Sequence, residues 1–169
     1  MTILETERMA LCELAPGDDA FILELLNDPG FLQNIGDRGM RTLADARGYI
    51  ANSAVASYEK NGFGLYRTAL KDTGVPIGIC GLVKRDGLDH PDIGFAFLER
   101  FWGNGYASES AAAVLRHAHE TLGLRRILAI TALDNRGSIR VLEKIGFRFE
   151  RIIKLPGHAA ESRLFSTGG

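Results

Sequence analysis

The chain is short of cysteine, of long apolar runs and of charge of one sign, and each shortage removes a class of function. Only Cys12 and Cys80 occur in 169 residues. Two isolated cysteines make no disulfide framework and read as small buried residues in a reducing compartment, which points to the cytoplasm. The histidines, His90, His117, His119 and His158, lack the spacing of metal ligands. His117 and His119 sit on different faces of any helix that carries both, so no metal is expected. No apolar stretch approaches the roughly 20 residues of a membrane-spanning helix. The start, Met1-Thr2-Ile3-Leu4-Glu5-Thr6-Glu7, has no basic segment followed by an apolar run, so neither a signal peptide nor a membrane role is expected. Lys and Arg number 20 against 21 Asp and Glu, a net charge of −1. That balance supplies no field for sequence-independent nucleic-acid binding. Internal repeats and low-complexity segments are also missing.

Apolar residues make up 46% of the chain, enough for a sizeable core, and the length fits one compact domain over residues 1–169. Arg8 to Leu14 reads as a first strand. Pro16-Gly17-Asp18-Asp19 supplies turn and cap chemistry for a short helix from Ala20 to Leu26. Phe31 to Arg41 is a loop by content. Thr42 caps a second helix reaching about Lys60, with Leu43, Ala46, Ile50, Ala54 and Val55 at helical spacing, and Asn61-Gly62 ends it. Strands are expected over Gly64 to Leu70, Ile77 to Lys84 and Asp92 to Leu98. A long Ala-rich helix runs from Tyr106 to Leu122, a β-branched strand from Arg126 to Thr131 and a helix from Ser138 to Ile145. Phe147 to Leu155 and Arg163 to Ser166 form a closing pair of strands. The order β-α-α-β-β-β-α-β-α-β-β predicts an α/β (α+β) domain with a mixed central sheet of about six to seven strands and helices on both faces.

The chemistry concentrates after Asp92. A strand ends near Leu98, a loop carries Gly103 and Gly105, and a helix opens at Tyr106. Helix N-termini expose unpaired N–H groups and the positive end of the helix dipole, and glycines let a phosphate approach them. A phosphate-bearing ligand suits this loop. It is not the dinucleotide fingerprint, because Ser108 stands where the third glycine belongs, and no Gly-Lys-Ser/Thr ending makes it a P-loop. Next, Asn135 and Ser138 share the first turn of another helix, where either capping or ligand contact would use them. Glu143-Lys144-Ile145-Gly146-Phe147 then leaves that helix for a strand.

Taken together, Phe101-Trp102-Gly103-Asn104-Gly105-Tyr106-Ala107-Ser108-Glu109, then Asn135-x-x-Ser138, then Glu143-Lys144-x-Gly146-Phe147 resemble the GNAT superfamily of N-acetyltransferases, in particular the ribosomal-protein N-terminal acetyltransferase subgroup of RimJ/RimL type. The resemblance is specific over residues 92–149, which it implies to be an acetyl-CoA-binding core. It implies that the loop wraps the CoA pyrophosphate through Trp102, Gly103, Asn104, Gly105, Tyr106, Ala107 and Ser108. Trp102 departs from the broad family pattern, Gln/Arg-x-x-Gly-x-Gly/Ala, and can equally pack against the sheet. Backbone groups near Phe97 and Leu98 are implied to meet the pantetheine arm, with Asn135 on the pantetheine or pyrophosphate side of CoA and Ser138 near the sulfur.

The implied reaction is direct attack of a primary amine, on a peptide N-terminus or a small molecule, on the acetyl thioester. The amine must be neutral; a free α-amine has a pKa near ~7.7–8 and a lysine near ~10.4. Asp92 is the candidate proton acceptor, against a reading as a solvated carboxylate beside Asp89 and Pro91. Relatives often carry a tyrosine acid in the helix after Asn135. Val141-Leu142 stand there instead, leaving Ser138 as the substitute. The acceptor side is implied to use Phe31 to Gly39, with Asn34 and Arg38 as candidate contacts. A rival reading is a CoA-binding sensor without turnover. A homodimer through the C-terminal strands is plausible.

Overall fold

The computed structural model describes residues 1–168. Among these, the frame is an eight-stranded sheet in the order β1-β2-β3-β4-β5-β6-β8-β7. The strands are β1 (Thr2–Glu5), β2 (Met9–Glu13), β3 (Leu65–Leu70), β4 (Pro76–Val83), β5 (Asp92–Phe97), β6 (Leu128–Ala132), β7 (Arg148–Ile153) and β8 (Ser162–Ser166). The helices are α1 (Asp19–Leu26), α2 (Pro29–Asn34), α3 (Leu43–Tyr49), α4 (Ala56–Asn61), α5 (Tyr106–Glu120) and α6 (Arg136–Lys144). Eight strands exceed the expected six to seven. The addition is β1, four residues long and therefore too short to show an alternation; pairing with β2 makes it a strand.

Helices cover both faces, as expected. Along β5, Ile93 and Phe97 belong to a core with Ala111, Val114 and Ala118 of α5. Those three positions on α5 keep helical spacing and form its buried stripe. The alternate residue Ala96, with Leu98 just past the strand, packs into a second core with α1 and the α3 region. The period of two along the strand thus feeds two different cores.

Three elements differ from expectation. Phe31 to Arg41 is not all loop, because Pro29 starts a short helix that reaches Asn34. The helix from Thr42 forms with its cap: Asp45 N–H donates to Thr42 Oγ1 at 3.0 Å, and Thr42 N–H to Asp45 Oδ2 at 3.2 Å. It does not run evenly to Lys60. Ile50–Val55 widens into a π-helical stretch between α3 and α4. There the Ser53 hydroxyl donates to the Tyr49 carbonyl, a side-chain contact at a turn of altered backbone register. The last helix begins at Arg136 rather than Ser138, because Asn135 caps it: Ser138 N–H donates to Asn135 Oδ1 at 3.3 Å.

The feature that positions the site is a divergence of strands. β5 and β6 are the single parallel pair, and they pair only at Asp92–Leu128 and Ile93–Ala129. Beyond that point β5 stays on β4 as far as Gly78–Phe97, and Leu98 N–H still donates to Ile77 O at 2.9 Å. Meanwhile β6 stays on β8 as far as Ala132–Ser162. Each strand keeps its outer neighbour and loses its inner one, so the sheet opens as a V. Backbone groups alternate sides along a strand. Leu98 bonds towards β4, while Pro91 O accepts from Leu128 N–H at 2.9 Å on the β6 side. Phe95 and Phe97, in phase with Pro91, therefore turn their peptide groups into the opening.

Candidate active site

Loop and helix meet at the mouth of the V. After β5, Trp102 swings back so that its Nε1–H donates to the Phe97 carbonyl at 2.9 Å. Its ring packs against α2, where a Cβ on Gly30 would come within 2.4 Å of the indole. Only glycine permits that approach. Trp102 is thus a strut between loop, sheet and α2, and the Phe97 carbonyl is already occupied by it. The indole packs in this way while the residue stays 48% exposed. Asn104 has a similar internal duty, with Nδ2 donating to the carbonyls of Phe101 at 3.1 Å and Trp102 at 3.3 Å. Its side chain braces the loop from an exposed position.

Gly105 is the N-cap of α5, with φ of 80°, a conformation costly for any residue with a Cβ. The first helical bond at this end is Glu109 N–H to Gly105 O at 3.0 Å. The N–H groups of Tyr106, Ala107 and Ser108 therefore precede the helical ladder and remain as donors. The acid in this first turn, Glu109, would repel an anion if left alone. It is not: Thr6 Oγ1 at 2.6 Å, Arg8 N–H at 3.0 Å and Arg8 Nε at 2.8 Å all donate to it. Burial works against its ionisation, but these donors hold its pKa below the usual carboxylate value. The Arg8 guanidinium also stacks 4.4 Å from the centre of the Tyr106 ring. An open groove of about 660 Å³ leads from Gly105 and Ser108 down the flank of α5, bordered by Arg8, Arg116 and Lys144. It adjoins the mouth of the V rather than filling the V itself; Arg8 is paired with Glu109 on the same wall, which leaves Arg116 and Lys144 as the cations that suit a polyanion.

Asn135 and Ser138 stand at the start of α6, on the β6 side of the opening, and both are half-buried. Asn135 is engaged as the cap already described, so its carbonyl oxygen serves the helix first. Val141 and Leu142 occupy the next turn, and Leu142 is 1% exposed in the core. No phenol enters from this helix.

Asp92 is neither solvated nor near Asp89 in role. It is 0% exposed at the closed end of the V, and Arg85 Nε donates to both its oxygens at 3.1 and 3.0 Å. Burial pushes its pKa up to about 6, and Arg85 pulls back against that rise. On the same face, burial raises the Tyr49 phenol, while the nearby charges of Arg38 and Arg85 lower it. Arg38 is exposed and takes part in no ion pair among the described residues. Asn34 is tied internally, with Nδ2 donating to Gly30 O at 3.0 Å. Arg41, by contrast, pairs with Asp37 at 2.6 Å.

The residues from the α5 loop and the start of α6 thus come together around the V. Asp92 and Arg38 gather on the opposite, α3-side face. Arg8, Arg85 and Tyr49 are additions that the sequence reading missed. Arg8 reaches α5 across 101 residues of chain. The Arg85–Asp92 pair spans seven positions around the β4–β5 turn, which a cross-strand charge search would find.

A family model described as an acetyltransferase (GNAT) domain matches residues 8–148. The chain belongs to the GNAT acetyltransferase family. It is an acyltransferase by that membership, and the sequence resemblance stands. Among relatives, the Bacillus subtilis protein YoaA, an uncharacterized N-acetyltransferase, is 30% identical over 154 residues, covering 90% of this chain and 86% of that one. Bacillus subtilis YkkB, an uncharacterized protein, is 31% identical, covering 90% and 89%. An acetyltransferase structure from Agrobacterium tumefaciens superposes with a TM-score of 0.83 at 26% identity, covering 98% of this chain and 94% of the other. RimL, a ribosomal L7/L12 α-N-protein acetyltransferase solved with CoA, gives a TM-score of 0.83 at 16% identity, covering 98% and 97%, and shares the fold.

Proposed function

We propose that this GNAT enzyme transfers an acetyl group from acetyl-CoA to a primary amine of a peptide N-terminus or small molecule. The observation that carries the reading is the V between parallel β5 and β6 with the N-terminus of α5 at its mouth. Unpaired strand backbone suits the amide-rich pantetheine arm, and the free amides of Tyr106, Ala107 and Ser108 suit the pyrophosphate. Gly103 and Gly105 keep the approach open. Arg116 and Lys144 along the adjoining groove would meet the remaining phosphate. Residues 92–149 thus form the donor-binding core of a single domain.

Acetyl-CoA supplies an activated thioester. The neutral amine attacks its carbonyl carbon, the N–C bond forms, the C–S bond breaks, and CoA leaves with the electron pair on sulfur. The amine then loses its proton towards Asp92, through water because Asp92 is buried, and with a pKa of about 6 Asp92 is mostly ionised at neutral pH. Ser138, at the β6 arm, donates to the departing sulfur and recovers a proton from solvent. Arg38 and Tyr49 face the acceptor side. Free Cys12 and Cys80 support a cytoplasmic setting. Phe149 and Ile152, exposed on edge strand β7, support a homodimer through the C-terminal strands.

A panel of amines with thiol release as readout tests the transfer: release with at least one peptide, polyamine or aminoglycoside is expected. Saturable acetyl-CoA binding without release for any amine would favour the sensor reading, which the missing phenol at Val141-Leu142 motivates.

A further inference from the structure

Two buried side-chain polar atoms lack a hydrogen-bond partner among the described residues: Arg67 Nε and Thr131 Oγ1. Arg67 has another outlet, since its Nη1 donates to Asp18 at 2.9 Å. Thr131 has none. Its hydroxyl is its only polar side-chain atom, and the residue is 7% exposed in β6. An orphaned buried hydroxyl destabilises a fold, and valine, of nearly the same shape, would fill the strand without that penalty. A partner from outside the chain accounts for the threonine.

Its place says which partner. Ala129 is the last β6 residue paired with β5, and Thr131 follows two residues later on the same face of the strand. That face carries the core shared with α5 and α6, since Ala129 and its β8 partner Phe165 both belong to it. Continuing the parallel register from Asp92–Leu128 puts Thr131 level with Phe95. Phe95 is the first β5 residue whose peptide groups meet no β6 partner. The two therefore flank the V just above its apex. Under the reading proposed above, the pyrophosphate lies at α5 and the arm runs inward, so the thioester end reaches deepest.

We infer that Thr131 contacts the donor's acyl group, its hydroxyl donating a hydrogen bond to the acetyl carbonyl oxygen from the β6 arm. Negative charge builds on that oxygen as the amine adds, so a fixed donor in a site shielded from water contributes more to the barrier than to ground-state binding.

The experiment measures affinity for acetyl-CoA and for CoA, turnover and thermal midpoint, in the parent and in Thr131→Val and Thr131→Ser. Thr131→Val should fold with an unchanged or higher midpoint. Its CoA affinity should match the parent, and its preference for acetyl-CoA over CoA should fall by roughly 3–10-fold, with turnover down by on the order of 100-fold. Thr131→Ser should retain most of both. An unchanged preference in Thr131→Val would overturn the inference, as would equal loss of affinity for both ligands, which would mark a contact to the pantetheine or to packing. Failure of the parent to bind either ligand would instead sink the donor-site reading itself, before any variant is considered.

Discussion

The two faces of the sheet are built differently. On one, α5 runs unbroken for 15 residues and α6 follows with a side-chain cap. On the other, α1 to α4 are short, and the segment from Leu43 to Asn61 changes from α to π and back. The first face presents backbone: helix amides, glycines and unpaired strand peptides. The second presents side chains from distant elements, namely Arg38, Tyr49, Arg85 and Asp92. Under the function proposed above, a donor common to a whole family would meet mainly backbone, helped by Arg8, Ser138 and Thr131, and few substitutions alter backbone. An acceptor particular to one protein would meet side chains, which change readily. Variants on the two faces should therefore separate donor effects from acceptor effects.

The largest effect is expected at the mouth of the V. Gly105→Glu places a carboxylate among the α5 amides and forces a Cβ onto a φ of 80°. Acetyl-CoA affinity should fall by ~100-fold or more, equivalent to at least about 2.7 kcal/mol, by calorimetric titration. Gly105→Ala carries the strain without the charge and should lose less. Equal losses would show that strain alone is responsible.

Next comes Ser138→Ala, with turnover reduced by roughly 10-fold and acetyl-CoA affinity nearly unchanged. Parallel losses in both would make Ser138 a binding contact.

Asp92 should show itself through pH. Its carboxyl has a pKa of about 6 when folded against 3.8 when free, so the folded state holds the proton more tightly. Its contribution to stability is therefore complete below the free value and is lost as pH rises through about 6. Denaturant titrations of the parent and Asp92→Asn between these limits should diverge in that sense. The parent's kcat/KM should rise through pH about 6, and Asp92→Asn should lack that rise. A shared acid limb would assign the proton to another group.

The smallest effect is expected from Arg38→Ala, an exposed side chain. KM for the acceptor should rise by about 2–5-fold with donor affinity unchanged. A change in donor affinity would dissolve the division between the faces.

The same division explains what sequence reveals. The α5 loop was legible because a positive φ demands glycine at Gly105 and because helix openings carry recognisable residues. Thr42 and Asn135 were legible as caps for the same local reason. The π-helical stretch was not, since Ile50 and Ala54 keep spacing that an even α-helix also satisfies. Trp102 could be read as part of a ligand loop or as packing against the sheet, and its contact with α2 was hidden because it depends on the distant Gly30. Asp92 could be read as a proton acceptor or as a solvated carboxylate beside Asp89; its full burial and its pairing with Arg85 depend on how the β4–β5 connection folds back, which local spacing does not show. The divergence of β5 and β6 arises from their outer partners β4 and β8, a non-local property that neither strand's own sequence contains.

The most direct test of the account is a calorimetric titration of the full chain with acetyl-CoA, run beside Gly105→Glu. The account predicts saturable binding to one site per chain that the substitution weakens by ~100-fold or more while circular dichroism shows the fold intact. Absence of saturable binding, or binding that the substitution leaves unchanged, would contradict the placement of the donor in the V between β5 and β6.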